Sequence, residues 1–209
     1  MTRIIFVRHG ETEWNKSGKY QGQTDVPLSA KGISQAEQLA KYFPAKEVAA
    51  IYASPLKRAF LTAECIGKSF GLEPIAVDNL RELSFGEWEG LTYEEIVSKW
   101  PDAMENFLTH PDILKIPGGE TFAEVQQRAM LAIEKIVKEN QGKTAVVVAH
   151  GAVLRTIITA ALHMDIKYVW TIRQFNTAVS IINYPDDYPE SEDYAVIEQL
   201  NNTSHLLMK

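Results

Sequence analysis

The chain is poor in cysteine: one, Cys65, in 209 residues. An internal disulfide is therefore excluded, and the apolar helical positions around Cys65 suit a buried structural thiol better than a nucleophile. No apolar run approaches the roughly 18 residues that would make a transmembrane helix. The first apolar run, Ile4–Val7, is four residues long and lacks the charged-then-apolar pattern of a secretory signal. Cations are in deficit, 21 Lys and Arg against 27 Asp and Glu, for a net charge of −6. That balance argues against nucleic acid or an anionic membrane as the main partner, so an anionic substrate must be drawn in by a local basic pocket. There is no internal repeat and no low-complexity stretch. No Gly-x-Gly-x-x-Gly loop follows the first apolar run, which argues against a nucleotide-cofactor oxidoreductase, and no His-Glu-x-x-His marks a metal site. These absences point to a cytoplasmic protein. A hydrophobic content of 45% and a charged content of 23% are ordinary for a globular chain. The length suits one well-buried core, so residues 1–209 are expected to form one domain.

What is present is an alternation of strands and helices. Ile4–Val7 reads as a buried strand that ends abruptly in Arg8-His9-Gly10. Ser29 is a good N-cap for a helix through about Phe43, with Ile33, Ala36, Leu39, Ala40 and Phe43 on one face. A second strand, 49–53, runs into Ser54-Pro55, a cap followed by proline at the first helical position. That places Arg58 in the first turn of the next helix, where it suits an anion site or simply solvates the helix start. A third short strand, 74–77, precedes Leu80-Arg81-Glu82-Leu83. Residues 84–119 break the rhythm with helical pieces at 92–100 and 102–108 divided by Pro101, an excursion packed over one edge of the domain. Thr121 and Glu124 form a capping box for a long helix. Strand 145–149 has the continuous apolar character of one covered on both faces, and it ends in His150-Gly151 at the start of a helix. Two late strands, 178–184 and 194–200, flank a Pro- and Asp-rich turn as an edge hairpin. The fold class is α/β, a three-layer α/β/α arrangement with a mostly parallel central sheet, helices on both faces and a small helical excursion over the site.

All carboxyl ends of parallel strands share one rim, where open α/β sheets bind ligands. Four strands deliver Arg8 and His9, Arg58, Glu82 and His150 there. The chemistry these fit is phosphoryl transfer. Guanidiniums grip phosphate oxygens bidentately, and a charged His150 would add a third cation. A neutral His9 attacks phosphorus to give a phosphohistidine. Fixed cations stabilise the equatorial oxygens, and Glu82 protonates the leaving alkoxide, then activates water. A metal site on His9 and His150 has no supporting carboxylate–histidine spacing. His110, His163 and His205 are assigned no role.

Arg8-His9-Gly10-Glu11-Thr12, with Asn15, Gly22, Arg58, Glu82 and His150-Gly151, resembles the histidine phosphatase superfamily, the phosphoglycerate mutase-like branch. The resemblance covers nearly the whole chain, including Leu28-Ser29, Ser54-Pro55-Leu56 and Gly118-Gly119-Glu120. It implies that His9 is the phosphorylated nucleophile, Glu82 the proton donor and acceptor, and Arg8, Arg58 and His150 the phosphate pocket. It also implies that Asn15, Gln21, Gly22 and the Gly151 amide contact phosphate or substrate, with no metal or organic cofactor.

Members of this branch are mutases or phosphatases, and the excursion should tell them apart. Residues 83–120 hold no arginine, two lysines (Lys99 and Lys115) and eight acidic residues, with Phe85, Trp88, Tyr93, Trp100 and Phe107. So few cations suit a monoester with an uncharged or apolar organic part better than a bisphosphoglycerate. Phe85-Gly86-Glu87-Trp88-Glu89-Gly90 also resembles broad-specificity and α-ribazole phosphatases. The expectation is a metal-independent phosphomonoester hydrolase acting on a small molecule; a 2,3-bisphosphoglycerate-dependent phosphoglycerate mutase is the alternative. The residues leave open which monoester is the substrate, and an exposed sheet edge would support a homodimer.

Overall fold

A computed structural model describes residues 1–208. Six strands form one sheet in the order β3-β2-β4-β1-β5-β6. They are β1 (Thr2–Arg8), β2 (Ala50–Ala53), β3 (Ile75–Ala76), β4 (Thr144–Ala149), β5 (Val179–Tyr184) and β6 (Val196–Asn202). β4 pairs in parallel with both β1 and β2, and β2 with β3, whereas β5 and β6 run antiparallel.

The apolar runs of β1 and β4 alternate between two cores, as a sheet covered on both faces requires. Ile5, Val7, Val146 and Val148 meet Leu39 of helix α2 (Ala30–Lys41), and Ala59, Ala63 and Ile66 of helix α3 (Lys57–Lys68). Ile4, Phe6, Ala145, Val147 and Ala149 face the opposite core. That core holds Phe122, Val125, Ala129 and Ile133 of a long helix over Phe122–Glu139, and Val153, Leu154 and Ile157 of another over Gly151–Ala161. Each fully buried Ile or Val contributes about 1.5–3 kcal/mol relative to exposure, so these two strands anchor both layers.

Caps mark most of the helix starts. Thr12 caps a single turn, α1 (Glu13–Lys16), and Ser29 accepts from the Gly32 amide at the start of α2. Thr92 and Glu95 box the start of α4 (Tyr93–Lys99), and Pro101 opens α5 (Pro101–Thr109). Thr121 and Glu124 make the expected capping box on Phe122–Glu139, which is α6, and Gly151–Ala161 is α7.

Several boundaries differ from expectation, three of them as follows. Helix α3 starts at Lys57, with Leu56 at the N-cap and no side-chain cap; Ser54 Oγ is instead engaged by His150 Nε2 at 2.8 Å. β3 is reduced to two exposed residues, because it is an edge strand that buries neither face. β6 lies two residues later than the spacing suggested, at 196–202.

The excursion shares the second core. Phe85, Trp88, Ile96, Met104 and Phe107 are buried with Phe122 and Val125 of α6. Helix α2 follows β1 on one face and α7 follows β4 on the other. Their starting loops therefore diverge between two adjacent strands and open a crevice at the carboxyl ends.

Candidate active site

His9 and His150 stand at the ends of β1 and β4 with ring centroids 5.1 Å apart. The His9 Nδ1–H donates to its neighbour Gly10 O at 2.6 Å, which fixes the tautomer that leaves Nε2 as the free base. Burial, reinforced by Arg58 and Arg8, holds this imidazole well below its usual range, so it is neutral. Its backbone is also braced: Asn176 Nδ2 donates to His9 O at 3.0 Å.

Arg8 is half-buried with Nη1 on Gln174 O, while its buried Nε has no partner among the described residues. An unpaired buried donor is costly unless a ligand completes it. Arg58, in the first turn of α3, is 1% exposed. It donates from Nη1 to Thr24 O at 2.8 Å, from Nη2 to Gly22 O at 2.7 Å and from Nε to His150 Nδ1 at 3.2 Å. Burial lowers it to about 10, and it stays a cation at neutral pH. Each Nη still carries one unused N–H.

His150 departs from expectation. Nδ1 accepts from Arg58 and Nε2 meets Ser54 Oγ, so both ring nitrogens are occupied. Burial, then Arg58, pushes the ring well below its usual range. It is a neutral prop behind Arg58 rather than a third cation.

The loop that carries Gly22, Gln23 and Thr24 is pinned by a residue not singled out from sequence. The Glu89 carboxylate accepts from the Gln23, Thr24 and Phe85 amides and from Thr24 Oγ1. Gly22 has φ of +52°, and a Cβ there would clash with the Glu89 carboxylate that these four bonds hold in place, so glycine is required twice over. Asn15 Oδ1 accepts from the Thr12 amide and from Asn176, and Gln21 Oε1 accepts from Thr12 Oγ1. Both amide nitrogens are left to the pocket that these residues line.

Glu82 sits at the start of α7. Its oxygens accept from the Leu83 amide at 2.9 Å and from the Ala152 and Val153 amides, each at 3.2 Å. The Gly151 N–H, first in the helix, has no partner among the described residues and lines the same crevice.

These groups surround a cavity of about 370 Å³. Its wall carries four cationic side chains, Arg8, Lys19, Arg58 and Arg155, against the single carboxylate of Glu82. A chain of net charge −6 thus holds a strongly positive pocket. The excursion is short of cations as read, and Lys19 and Arg155 lie outside it, so a count confined to residues 83–120 missed them. The Arg155 Nε donates to Ile172 O and Nη1 to Gly151 O, and its guanidinium lies over the Trp170 ring at 5.1 Å. Nη2 has no partner among the described residues. Burial and the neighbouring Arg8 lower Arg155 to about 10, so it too stays charged. The signal for Arg155 was available, because it lies four residues past Gly151 on the same face of α7. Phe85, Tyr93 and Phe107 also line the cavity, while Trp88 and Trp100 only pack.

The sequence profile of the histidine phosphatase superfamily (branch 1) matches residues 4–197. The chain belongs to this family. It is 36% identical over 206 residues to phosphoserine phosphatase 1 of Hydrogenobacter thermophilus, covering 99% of this chain and 95% of that one. It is also 36% identical over 210 residues to the metal-independent phosphoserine phosphatase of Arabidopsis thaliana, covering 99% and 84%. Its fold matches the solved structure of Bacillus stearothermophilus YhfR with a TM-score of 0.91 and 34% identity, covering 99% of this chain and all of that one. As a member of this histidine phosphatase family with phosphatase relatives of this similarity, the chain is a phosphoric monoester hydrolase. No helix among the described residues is long and apolar enough to cross a membrane.

Proposed function

We propose that this histidine phosphatase hydrolyses small phosphomonoesters bearing a second anionic group, phosphoserine foremost, through a phosphohistidine on His9 and without metal or organic cofactor. The observation that carries the reading is a neutral His9 Nε2 facing a cavity walled by four cations. The similarity to phosphoserine phosphatases supports the choice of substrate, and Lys19 and Arg155 supply cations beyond the two nearest His9 for a carboxylate. The same cations favour an anionic organic part over the uncharged one expected from residues 83–120.

In this reading Arg8, Arg58, Asn15, Gln21 and the Gly151 amide hold the phosphoryl oxygens, with Gly22 shaping the loop and His150 steadying Arg58. The His9 Nε2 lone pair attacks phosphorus as the ester P–O bond breaks, and Glu82 gives its proton to the departing alkoxide. A water then loses a proton to Glu82 and attacks the phosphohistidine. The P–N bond breaks, the electron pair returns to Nε2, and inorganic phosphate leaves. We infer one domain whose excursion, residues 84–119, lies over the site as a lid. Cytoplasmic placement fits the lone buried thiol of Cys65. The outer edge of β6, with Val196 and Leu200 exposed, would support a homodimer.

The test is phosphate release, with chelator present, from phosphoserine, 3-phosphoglycerate, α-ribazole phosphate and aryl phosphates. Formation of 2-phosphoglycerate is followed in parallel after priming with 2,3-bisphosphoglycerate. A kcat/KM for phosphoserine at least tenfold above the others supports the reading. Isomerisation faster than release would make the protein a mutase.

A further inference from the structure

Arg128, on α6, does not line the cavity, yet it ties down the segment that carries Glu82. Nη1 donates to Asn79 O at 2.8 Å and to Arg81 O at 2.7 Å, and Nη2 to Glu82 O at 3.0 Å. Nε and Nη2 together hold the Glu120 carboxylate at 2.8 and 3.0 Å, a bidentate pair. Glu120 Oε2 in turn accepts from the Ser84 amide at 2.9 Å. The backbone is thus gripped on both sides of Glu82, by carbonyls before it and an amide after it. Gln23 joins the network, with Nε2 3.3 Å from Glu82 O and 3.4 Å from Glu120 Oε2. Gln23 adjoins Gly22, whose carbonyl holds Arg58.

The side chains are only 19% and 23% exposed, so solvent competes weakly for these bonds. The carbonyl bonds consume donors that only a planar fork supplies at once; a lysine ammonium cannot reach three carbonyls and a carboxylate from one point. Nothing else on α6 reaches the acid-bearing segment with a charged group.

We propose that the Arg128–Glu120 ion pair is a positioning device for proton transfer. It sets the reach of the Glu82 carboxyl to the leaving oxygen and registers that carboxyl against the loop that holds Arg58. The proposal rests on Glu82 being the acid. Phosphate binding is left to Arg8, Arg58, Asn15, Gln21 and Gly151, which Arg128 does not touch. Its loss therefore slows steps that need a proton and spares those that do not.

The experiment compares wild type, Arg128→Lys, Arg128→Ala, Glu120→Gln, Glu82→Gln and Arg128→Ala/Glu82→Gln. The first-turnover release of alcohol is measured for phosphoserine and for aryl phosphates of decreasing leaving-group pKa, down to p-nitrophenyl phosphate. General acid catalysis contributes roughly 10²–10⁴-fold. Arg128→Ala should therefore lose about 10²-fold on phosphoserine, while p-nitrophenyl phosphate, whose leaving group needs no proton, stays within about threefold. Arg128→Lys should fail to rescue, and inhibition by inorganic phosphate should be unchanged. Added to Glu82→Gln, Arg128→Ala should cost less than about a further threefold. Retained first-turnover release of p-nitrophenol reports that the variant is folded; where Arg128→Ala does not fold, Glu120→Gln carries the same comparison. Equal losses on both esters, a loss confined to KM, or full additivity with Glu82→Gln would overturn the proposal. If Glu82→Gln itself leaves the leaving-group dependence unchanged, the assignment of the acid fails first.

Discussion

Phe107 joins the stability of the excursion to the shape of the site. It is 4% exposed, and its ring contacts those of Tyr20, Phe85, Trp88, Phe122 and Trp170, the nearest with centroids 4.7 Å apart. These five neighbours come from the loop after α1, the excursion, α6 and the segment after α7. Replacing Phe107 by Ala removes the ring they close upon. Burial loss and the resulting cavity together cost about 3–5 kcal/mol for Phe→Ala, with edge-to-face geometry placing the value in the upper half. At about 2–4 °C per kcal/mol for a chain of this size, a loss of about 4–5 kcal/mol should lower the melting temperature by roughly 8–20 °C. Tyr93→Ala is the control, because Tyr93 also lines the cavity but is 45% exposed. It should shift stability by less than about 1 kcal/mol. Thermal and urea unfolding followed by tryptophan fluorescence and far-UV circular dichroism read both. Phe107→Ala melting within about 2 °C of wild type would refute the reasoning. So would a separate early transition, which would mean that the excursion is not part of the α6–α7 core.

Three further outcomes follow from the site. Arg155→Leu should raise KM for phosphoserine roughly 10–100-fold, the value of a charge-assisted hydrogen bond, and change KM for p-nitrophenyl phosphate less than about threefold; steady-state kinetics on the two esters decide it. Glu89→Ala should weaken inhibition by inorganic phosphate, since four donors of residues 23, 24 and 85 lose their acceptor. His9 and His150 are both lowered in the folded state. Below pH 6.5 the unfolded chain therefore takes up protons that the folded chain refuses. Their stability contribution is complete above pH 6.5 and declines as pH falls from there, by up to about 1.4 kcal/mol per pH unit for each ring. Urea midpoints at pH 7.5 and 5.5, for wild type and His150→Gln, measure the difference; an identical pH slope in both would contradict it.

Much of this arrangement was legible in the chain because it is local. Ile4–Val7 and Ala145–Val148 are apolar enough to announce strands buried on both faces, and Ser29, Thr121 and Glu124 announce helix starts through bonds made within one turn. Arg8-His9-Gly10 and His150-Gly151 stand where strand gives way to turn, so their meeting on one rim follows from parallel topology alone. What stayed hidden depends on long-range partners. Ser54 looks like a cap until His150, 96 positions away, takes its hydroxyl. His150 looks like a cation until Arg58 and burial deny it the proton. Glu89 and Arg128 look like surface charges, and only the folded chain turns them onto backbone groups 46 to 66 residues away, those of residues 23, 24, 79, 81 and 82. His205, near the end of the chain, is 4% exposed against Thr177, a contact no periodicity could reveal.

The decisive measurement is rapid quench, into alkali, of enzyme mixed with ³²P-labelled phosphoserine in the presence of chelator, followed by peptide mapping. The expected result is an acid-labile phosphoryl group on His9 that forms at least as fast as steady-state turnover and is absent from His9→Ala. Unlabelled His9 during full turnover, or a label on any other residue, would contradict the proposed phosphohistidine chemistry.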